Sequence, residues 1–127
     1  MKIYGIGTDI ANIKRIEKSL IKKNFIYRIF NKVEVKKCNN QKNKANCYAK
    51  RFAAKEAFSK AIGTGISKGI NFNEIIVHNI KTGKPQIKLL GTTKKNVAKI
   101  LNKKKFDIFL SLSDDKPFAV ATVVISL

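Results

Sequence analysis

Arg51-Phe52-Ala53-Ala54-Lys55-Glu56-Ala57-Phe58-Ser59-Lys60-Ala61-Ile62-Gly63-Thr64-Gly65 is the stretch on which the fold turns. Alanines and straight-chain residues favour helix, and glycine at the end of such a run stops it. The spacing predicts a long central helix from about Lys44 to Ile62, closed by Gly63-Thr64-Gly65. One acid, Glu56, stands there among Arg51, Lys55 and Lys60, and Glu56 and Lys60, four apart, share a helix face. A second lone acid, Asp9, stands near the end of the apolar run Ile3–Ile10. That run reads as a buried strand in which Gly5 and Gly7 allow close backbone approach. The chain has only eight acidic residues. Two of them at such positions suggest a divalent cation beside a phosphate, because Mg²⁺ binds through one or two carboxylates plus substrate phosphates. Lys60 is then placed to steady charge in phosphoryl transfer. The plainer alternative is a turn residue at Asp9 and a surface pair at Glu56–Lys60, and spacing alone leaves both open.

Outward from this helix, Asn12 is a plausible N-cap for a helix over 13–22 with an apolar stripe of Ile13, Ile16 and Leu20. Its other face carries Lys14, Arg15, Lys18 and Lys22. Phe25–Phe30 reads as a short helix or turn with Arg28 exposed. The polar stretch 36–44 reads as a solvated loop or helix end. After the central helix the period changes to strand. A hairpin over 74–80 and 86–90 turns at Thr82-Gly83-Lys84-Pro85. Thr92 or Thr93 caps a helix over 94–102. A last hairpin, 107–113 and 118–126, turns around Asp114-Asp115-Lys116-Pro117. The order predicts an α+β fold, mainly antiparallel sheet packed by a long central helix. Its length suits a single domain spanning 1–127.

The net charge of +19 attracts acidic partners of some kind. Lysine far outnumbers arginine, however, and nucleic-acid readers favour arginine's planar fork. Tyr4, Tyr27 and Tyr48 are scattered and make no stacking platform. A non-enzymatic basic nucleic-acid-binding module is therefore the second reading. No apolar run is long enough for a membrane span. Met1–Gly5 reads as the start of a strand rather than a leader, so the expected compartment is the cytoplasm. Cys38 and Cys47 lie nine apart without a nearby histidine and read as free thiols. His78, the single histidine, builds neither a triad nor a zinc site and reads as a half-exposed strand residue. Gly5-x-Gly7 lacks the third glycine of a dinucleotide fingerprint.

These residues resemble the holo-acyl-carrier-protein synthases, the small 4′-phosphopantetheinyl transferases. The resemblance is carried by Gly5-Ile6-Gly7-Thr8-Asp9-Ile10, Arg15-Ile16, Arg51–Ala61, Gly63-Thr64-Gly65, Gly83-Lys84-Pro85, Ser111-Leu112-Ser113 and Phe118–Ala121. It implies that a serine of apo-acyl carrier protein attacks the β-phosphate of coenzyme A, keeps the phosphopantetheine and releases 3′,5′-ADP, a step of fatty acid biosynthesis. By the same resemblance Asp9 and Glu56 are Mg²⁺ ligands. Glu56, directly or through a water on the ion, is the candidate general base, and Lys60 steadies or protonates the leaving diphosphate. Coenzyme A is expected against Arg51, Phe52 and Ser59, with Gly63 and Gly65 admitting the backbone. Gly83, Lys84 and Pro85 would lie near the adenine and 3′-phosphate, with Ser111 and Ser113 on the last hairpin. The basic face of Lys14, Arg15, Lys18, Lys22 and Arg28 would receive the acidic helix of the carrier protein. A homotrimer with active sites between subunits is implied, with no membrane or nucleic-acid partner. One position departs from the family pattern: Asp114 stands where the family usually has histidine, and the histidine's role does not carry over to an acid.

Overall fold

The computed structural model describes residues 1–65 and 69–127. The chain runs β1 (Ile3–Asn12), α1 (Ile13–Ser19), α2 (Lys23–Ile29), α3 (Lys32–Asn39) and α4 (Lys44–Ile62). A 3-10 turn (Phe72–Glu74), β2 (Ile75–Asn79), β3 (Pro85–Leu89), α5 (Gly91–Leu101), β4 (Asp107–Asp115) and β5 (Phe118–Ser126) follow. The fold is α+β with antiparallel strand pairs, as expected. The strands form two sheets, β1-β5-β4 and the hairpin β2-β3.

The core is built around α4. Ala49, Ala53, Ala54 and Ala57 are fully buried along it, and their small side chains let the three-stranded sheet approach closely. Gly5 and Gly7 meet it there. A Cβ on Gly7 would land on the Ala57 carbonyl oxygen, and one on Gly5 on the Ala61 carbonyl oxygen. The helix ends as expected, at Gly63 with φ 90°, a left-handed conformation that glycine adopts without a Cβ clash.

β1 is not the buried strand that its apolar run suggested. Helix α4 covers only one face of the sheet, so side chains alternate between core and surface. Gly7 and Ala11 are buried while Ile6 and Ile10 are 65% and 61% exposed. Ile6 is in register with Val124 of β5, and Val124 with Phe109 of β4, so the outer sheet face carries an apolar strip.

The polar stretch 36–44 is solvated except at Cys38, as a helix end and turn should be. Most of it belongs to α3 and the start of α4, with a short turn between. α3 opens with a capping box: the Asn31 side chain accepts from Val33 N at 3.1 Å, and Asn31 N donates to Glu34 at 3.0 Å. The α3–α4 corner brings the Cα atoms of Cys38 and Cys47 to 5.4 Å, and the two form a disulfide rather than free thiols. α1 is capped by Asn12 as expected but ends at Ser19.

One ionic network ties these elements together inside the core. Lys55 and Glu34 have fully buried side chains, and Lys55 Nζ donates to Glu34 Oε1 at 2.7 Å. The same ammonium donates to the carbonyls of Phe72 (2.8 Å) and Ile75 (2.5 Å). Glu34 Oε2 accepts from Val77 N at 3.0 Å. Burial lowers the Lys55 pKa to about 8, against the opposing pull of Glu34. α3, α4 and the start of β2 are thus joined through two side chains.

α5 begins at Gly91, earlier than predicted, and neither threonine caps it. Glu74 performs that task from 17 residues upstream of Gly91, accepting from Thr92 N (3.2 Å), Thr93 N (3.1 Å) and Thr93 Oγ1 (2.8 Å). Hydrogen bonds from the Asn71 and Thr93 side chains hold its carboxyl below the usual range.

Three outcomes follow for equilibrium unfolding in urea. Gly7→Ala forces backbone apart and lowers stability by about 3 kcal/mol. Lys55→Met strands the Glu34 carboxylate and costs about 3–5 kcal/mol, and adding Glu34→Gln returns part of the loss. Glu74→Ala costs about 1 kcal/mol at pH 7, as for loss of a helix cap. The depressed Glu74 pKa means that this contribution is present above the unfolded carboxyl pKa and disappears as pH falls through the folded one.

Candidate active site

Asp9 points from β1 toward α4, on the same sheet face as Gly5, Gly7 and Ala11. Glu56 and Lys60 lie one turn apart on the helix. Lys60 Nζ donates to Asp9 Oδ1 at 3.2 Å and to the Thr8 carbonyl at 3.0 Å. Its predicted surface partner, Glu56, is not bonded to it. No hydrogen bond or ion pair engages the Glu56 carboxylate among the described residues. Burial raises the pKa of both acids. The Asp9 charge adds to it at Glu56, and Lys60 partly opposes it at both. Asp9, Glu56 and Lys60, predicted from sequence, are thus brought together.

Two desolvated carboxylates that repel each other, one of them unpartnered, fit a divalent cation. No third histidine, cysteine or acid joins them among the described residues. A cation there would have to take its remaining ligands from substrate and water, which is how Mg²⁺ sits beside phosphates.

Arg51 does not face this site. It precedes Glu56 by five residues, about 140° around the helix axis. Its guanidinium donates to Cys47 Sγ (3.2 Å) and Asn79 Oδ1 (3.4 Å). It is 6% exposed, and its buried Nε has no partner. Burial lowers its pKa, while Glu34 pulls the other way. Arg51 lines a polar cavity of about 690 Å³ together with Lys37, Asn46, Lys50, Lys81 and Gly83. A buried guanidinium bonded to no carboxylate among the described residues, in a cavity rich in lysine, is chemistry for an anion. Lys50, Asn46 and Lys81 are functional candidates that the sequence reading missed. Only the adjacency of Lys50 to Arg51 hinted at them.

The other predicted contacts divide further. Ser59 is buried, with its hydroxyl donating to the Glu56 carbonyl at 2.8 Å. Phe52 joins an aromatic cluster with Phe25 and Phe72. Gly63 and Gly65 have open space beside them, as does Gly83 at φ 89°. Lys84 is exposed and Pro85 half-buried at the hairpin turn. Ser111 and Ser113 are exposed on the outer sheet face, opposite α4, in register with Thr122 and Val120. Arg51 with Gly83, and Ser111 with Ser113, therefore lie on surfaces apart from Asp9 and Glu56 in one chain, whereas Phe52, Ser59 and Gly63 stay within two turns of Glu56.

The basic residues Lys14, Arg15, Lys18, Lys22 and Arg28 are all exposed on α1, α2 and the link between them. Lys22 and Arg28, with Phe25, line a groove of about 510 Å³ at that corner. A larger cavity, about 1180 Å³, lies between α5 and the start of β4 and includes none of the predicted site residues. No helix among the described residues is long and apolar enough to cross a membrane.

Residues 5–123 match the 4′-phosphopantetheinyl transferase superfamily. The holo-[acyl-carrier-protein] synthase of Pelagibacter ubique is 49% identical, with 98% of each chain covered. The corresponding enzyme of Bartonella bacilliformis is 46% identical over 97% of this chain and 95% of its own. Among solved structures, the holo-(acyl-carrier-protein) synthase of Bacillus anthracis in complex with CoA (3′,5′-ADP) is 38% identical. It superposes with a TM-score of 0.82, covering 99% of this chain and 98% of that one. The Helicobacter pylori synthase in complex with coenzyme A is 34% identical, with a TM-score of 0.79 over 95% of this chain and 99% of that one. The fold, the convergence of Asp9, Glu56 and Lys60, and this similarity along the whole chain agree: the chain belongs to the 4′-phosphopantetheinyl transferase superfamily, among the holo-[acyl-carrier-protein] synthases.

Proposed function

We propose that this enzyme transfers 4′-phosphopantetheine from coenzyme A to a serine of apo-acyl carrier protein, with Mg²⁺ and release of 3′,5′-ADP. The observation that carries the reading is the meeting of Asp9 from β1 with Glu56 and Lys60 from α4.

Asp9 and Glu56 would hold the ion, which when bound neutralises diphosphate charge and so lowers the barrier to phosphoryl transfer. The serine oxygen forms a bond to the β-phosphorus as the bond from that phosphorus to the bridging oxygen breaks. Glu56, whose raised pKa makes it a better base than an ordinary carboxylate, takes the serine proton. Lys60 uses two of its three N–H donors on Thr8 and Asp9. Its ammonium is therefore held at the strand–helix junction, where it steadies the charge gathering on the departing 3′,5′-ADP.

The cavity at Arg51 and Gly83 supports a role for the nucleotide end of coenzyme A. It opens on a different side of α4 from Asp9, so a full site needs two copies. The exposed strip of Ile6, Ile10, Phe109 and Phe118 supports the same view, because an apolar face of this kind is normally covered by a partner. We therefore assign a homotrimer in which Asp9, Glu56 and Lys60 of one subunit work with Arg51, Gly83, Lys84, Pro85, Ser111 and Ser113 of the next. The groove at Lys22 and Arg28, extended by Lys14, Arg15 and Lys18, would receive the acidic carrier protein and speed its encounter. The working compartment we assign is the cytoplasm, with the chain acting as a single domain in fatty acid biosynthesis.

Mass spectrometry of an apo-acyl carrier protein tests the reading. Wild-type enzyme with coenzyme A and Mg²⁺ adds the mass of phosphopantetheine, and a chelator prevents it. Asp9→Ala and Glu56→Ala each lower turnover at least about a hundredfold. Both variants keep wild-type stability, because burial already makes each ionised carboxylate unfavourable in the folded state. Near-normal rates in both variants would remove the metal assignment.

A further inference from the structure

Asp114, near the end of β4, has surroundings that give it a task. Its Oδ1 pairs with Lys50 Nζ at 2.9 Å. Its Oδ2 accepts from Asn46 Nδ2 at 3.0 Å. Lys50 and Asn46 both line the cavity that holds Arg51, whereas Asp114 stands outside that lining. The cavity's own charged residues are Lys37, Lys42, Lys50, Lys81 and Arg51, with no acid among them. Asp114 is therefore the carboxylate that the structure sets against this cluster. Asn46 turns its amide nitrogen toward Asp114, and its buried Oδ1, like Arg51 Nε, has no hydrogen-bond partner among the described residues. The Lys50 and Asp114 side chains are 30% and 29% exposed, so the pair is of the half-solvated kind whose attraction is modest and can be exchanged.

We infer that Asp114 is an internal counter-ion that occupies Lys50 and Asn46 until a phosphate of the nucleotide competes for them, and that it sets the affinity of the cavity for phosphorylated ligands. The inference rests on the assignment of this cavity to the nucleotide end of coenzyme A. A histidine at this position would add a donor for phosphate. The aspartate instead withdraws a cation, and the ligand must outcompete it. Asp114 acts through Lys50 and is a specificity-setting positioning residue rather than a catalytic one. The consequence is weaker retention of 3′,5′-ADP than a cavity with Lys50 unoccupied would show.

Asp114→Asn tests this with little change of shape, since the amide oxygen can still accept from Asn46. Titration calorimetry with 3′,5′-ADP, wild type against Asp114→Asn, should show about two- to fivefold tighter binding in the variant. Adenosine, which carries no phosphate, should bind both proteins alike. The KM for coenzyme A should fall in the variant without a rise in kcat. Lys50→Gln combined with Asp114→Asn should abolish the gain. Unchanged or weaker 3′,5′-ADP binding by Asp114→Asn, with wild type binding normally, would overturn the counter-ion role and leave the cavity assignment standing. Failure of wild type to bind 3′,5′-ADP would overturn the cavity assignment and the counter-ion role together.

Discussion

The missing side chains at Gly5 and Gly7 are the constraint on which the rest depends. They let β1 lie directly against the backbone of α4 at Ala57 and Ala61. At that separation an aspartate two residues beyond Gly7 reaches the lysine one turn after Glu56. A single methyl group at either glycine would have to push strand or helix backbone aside, because every atom it meets belongs to the backbone of Ala57 or Ala61. The site is thus positioned by close packing rather than by a loop.

The second support is electrostatic and lies on the far side of the same helix. Lys55 and Glu34 bury opposite charges and spend them on backbone groups of the Phe72–Val77 segment as well as on each other. Each partner alone would be a costly buried ion, so the pair confers specificity of arrangement more than net stability. Neighbouring residues of α4 therefore have opposite duties. Lys55 is sealed in the core, while Glu56 lies near Asp9 with no hydrogen bond or ion pair to its carboxylate among the described residues.

Local patterns explain what could be read before the structure. The glycine stop of α4, the Asn12 cap, the two hairpins and the lone acids at Asp9 and Glu56 all depend on residues near one another in sequence. What stayed hidden depends on distant partners. Lys55 and Glu34 look like surface charges until their 21-residue separation closes. α3 shows no helical period in its sequence, because its burial comes from Glu34 and Cys38 rather than from an apolar stripe. The cap of α5 comes from Glu74, outside any local motif. Ser59 sits in the family pattern but turns its hydroxyl to its own helix. The pairing of Asp114 with Lys50 joins residues on β4 and α4 that no spacing rule connects. The division of the predicted coenzyme A residues between surfaces likewise needed the sheet register, which puts Ser111 and Ser113 on the face opposite α4.

A crystal of the enzyme grown with coenzyme A and Mn²⁺, measured at the manganese absorption edge, tests the account most directly. The account predicts an anomalous peak between the Asp9 and Glu56 carboxylates of one subunit, with the adenine end of the nucleotide in the Arg51 cavity of its neighbour. A well-bound nucleotide whose diphosphate and metal lie away from Asp9 and Glu56 would contradict it.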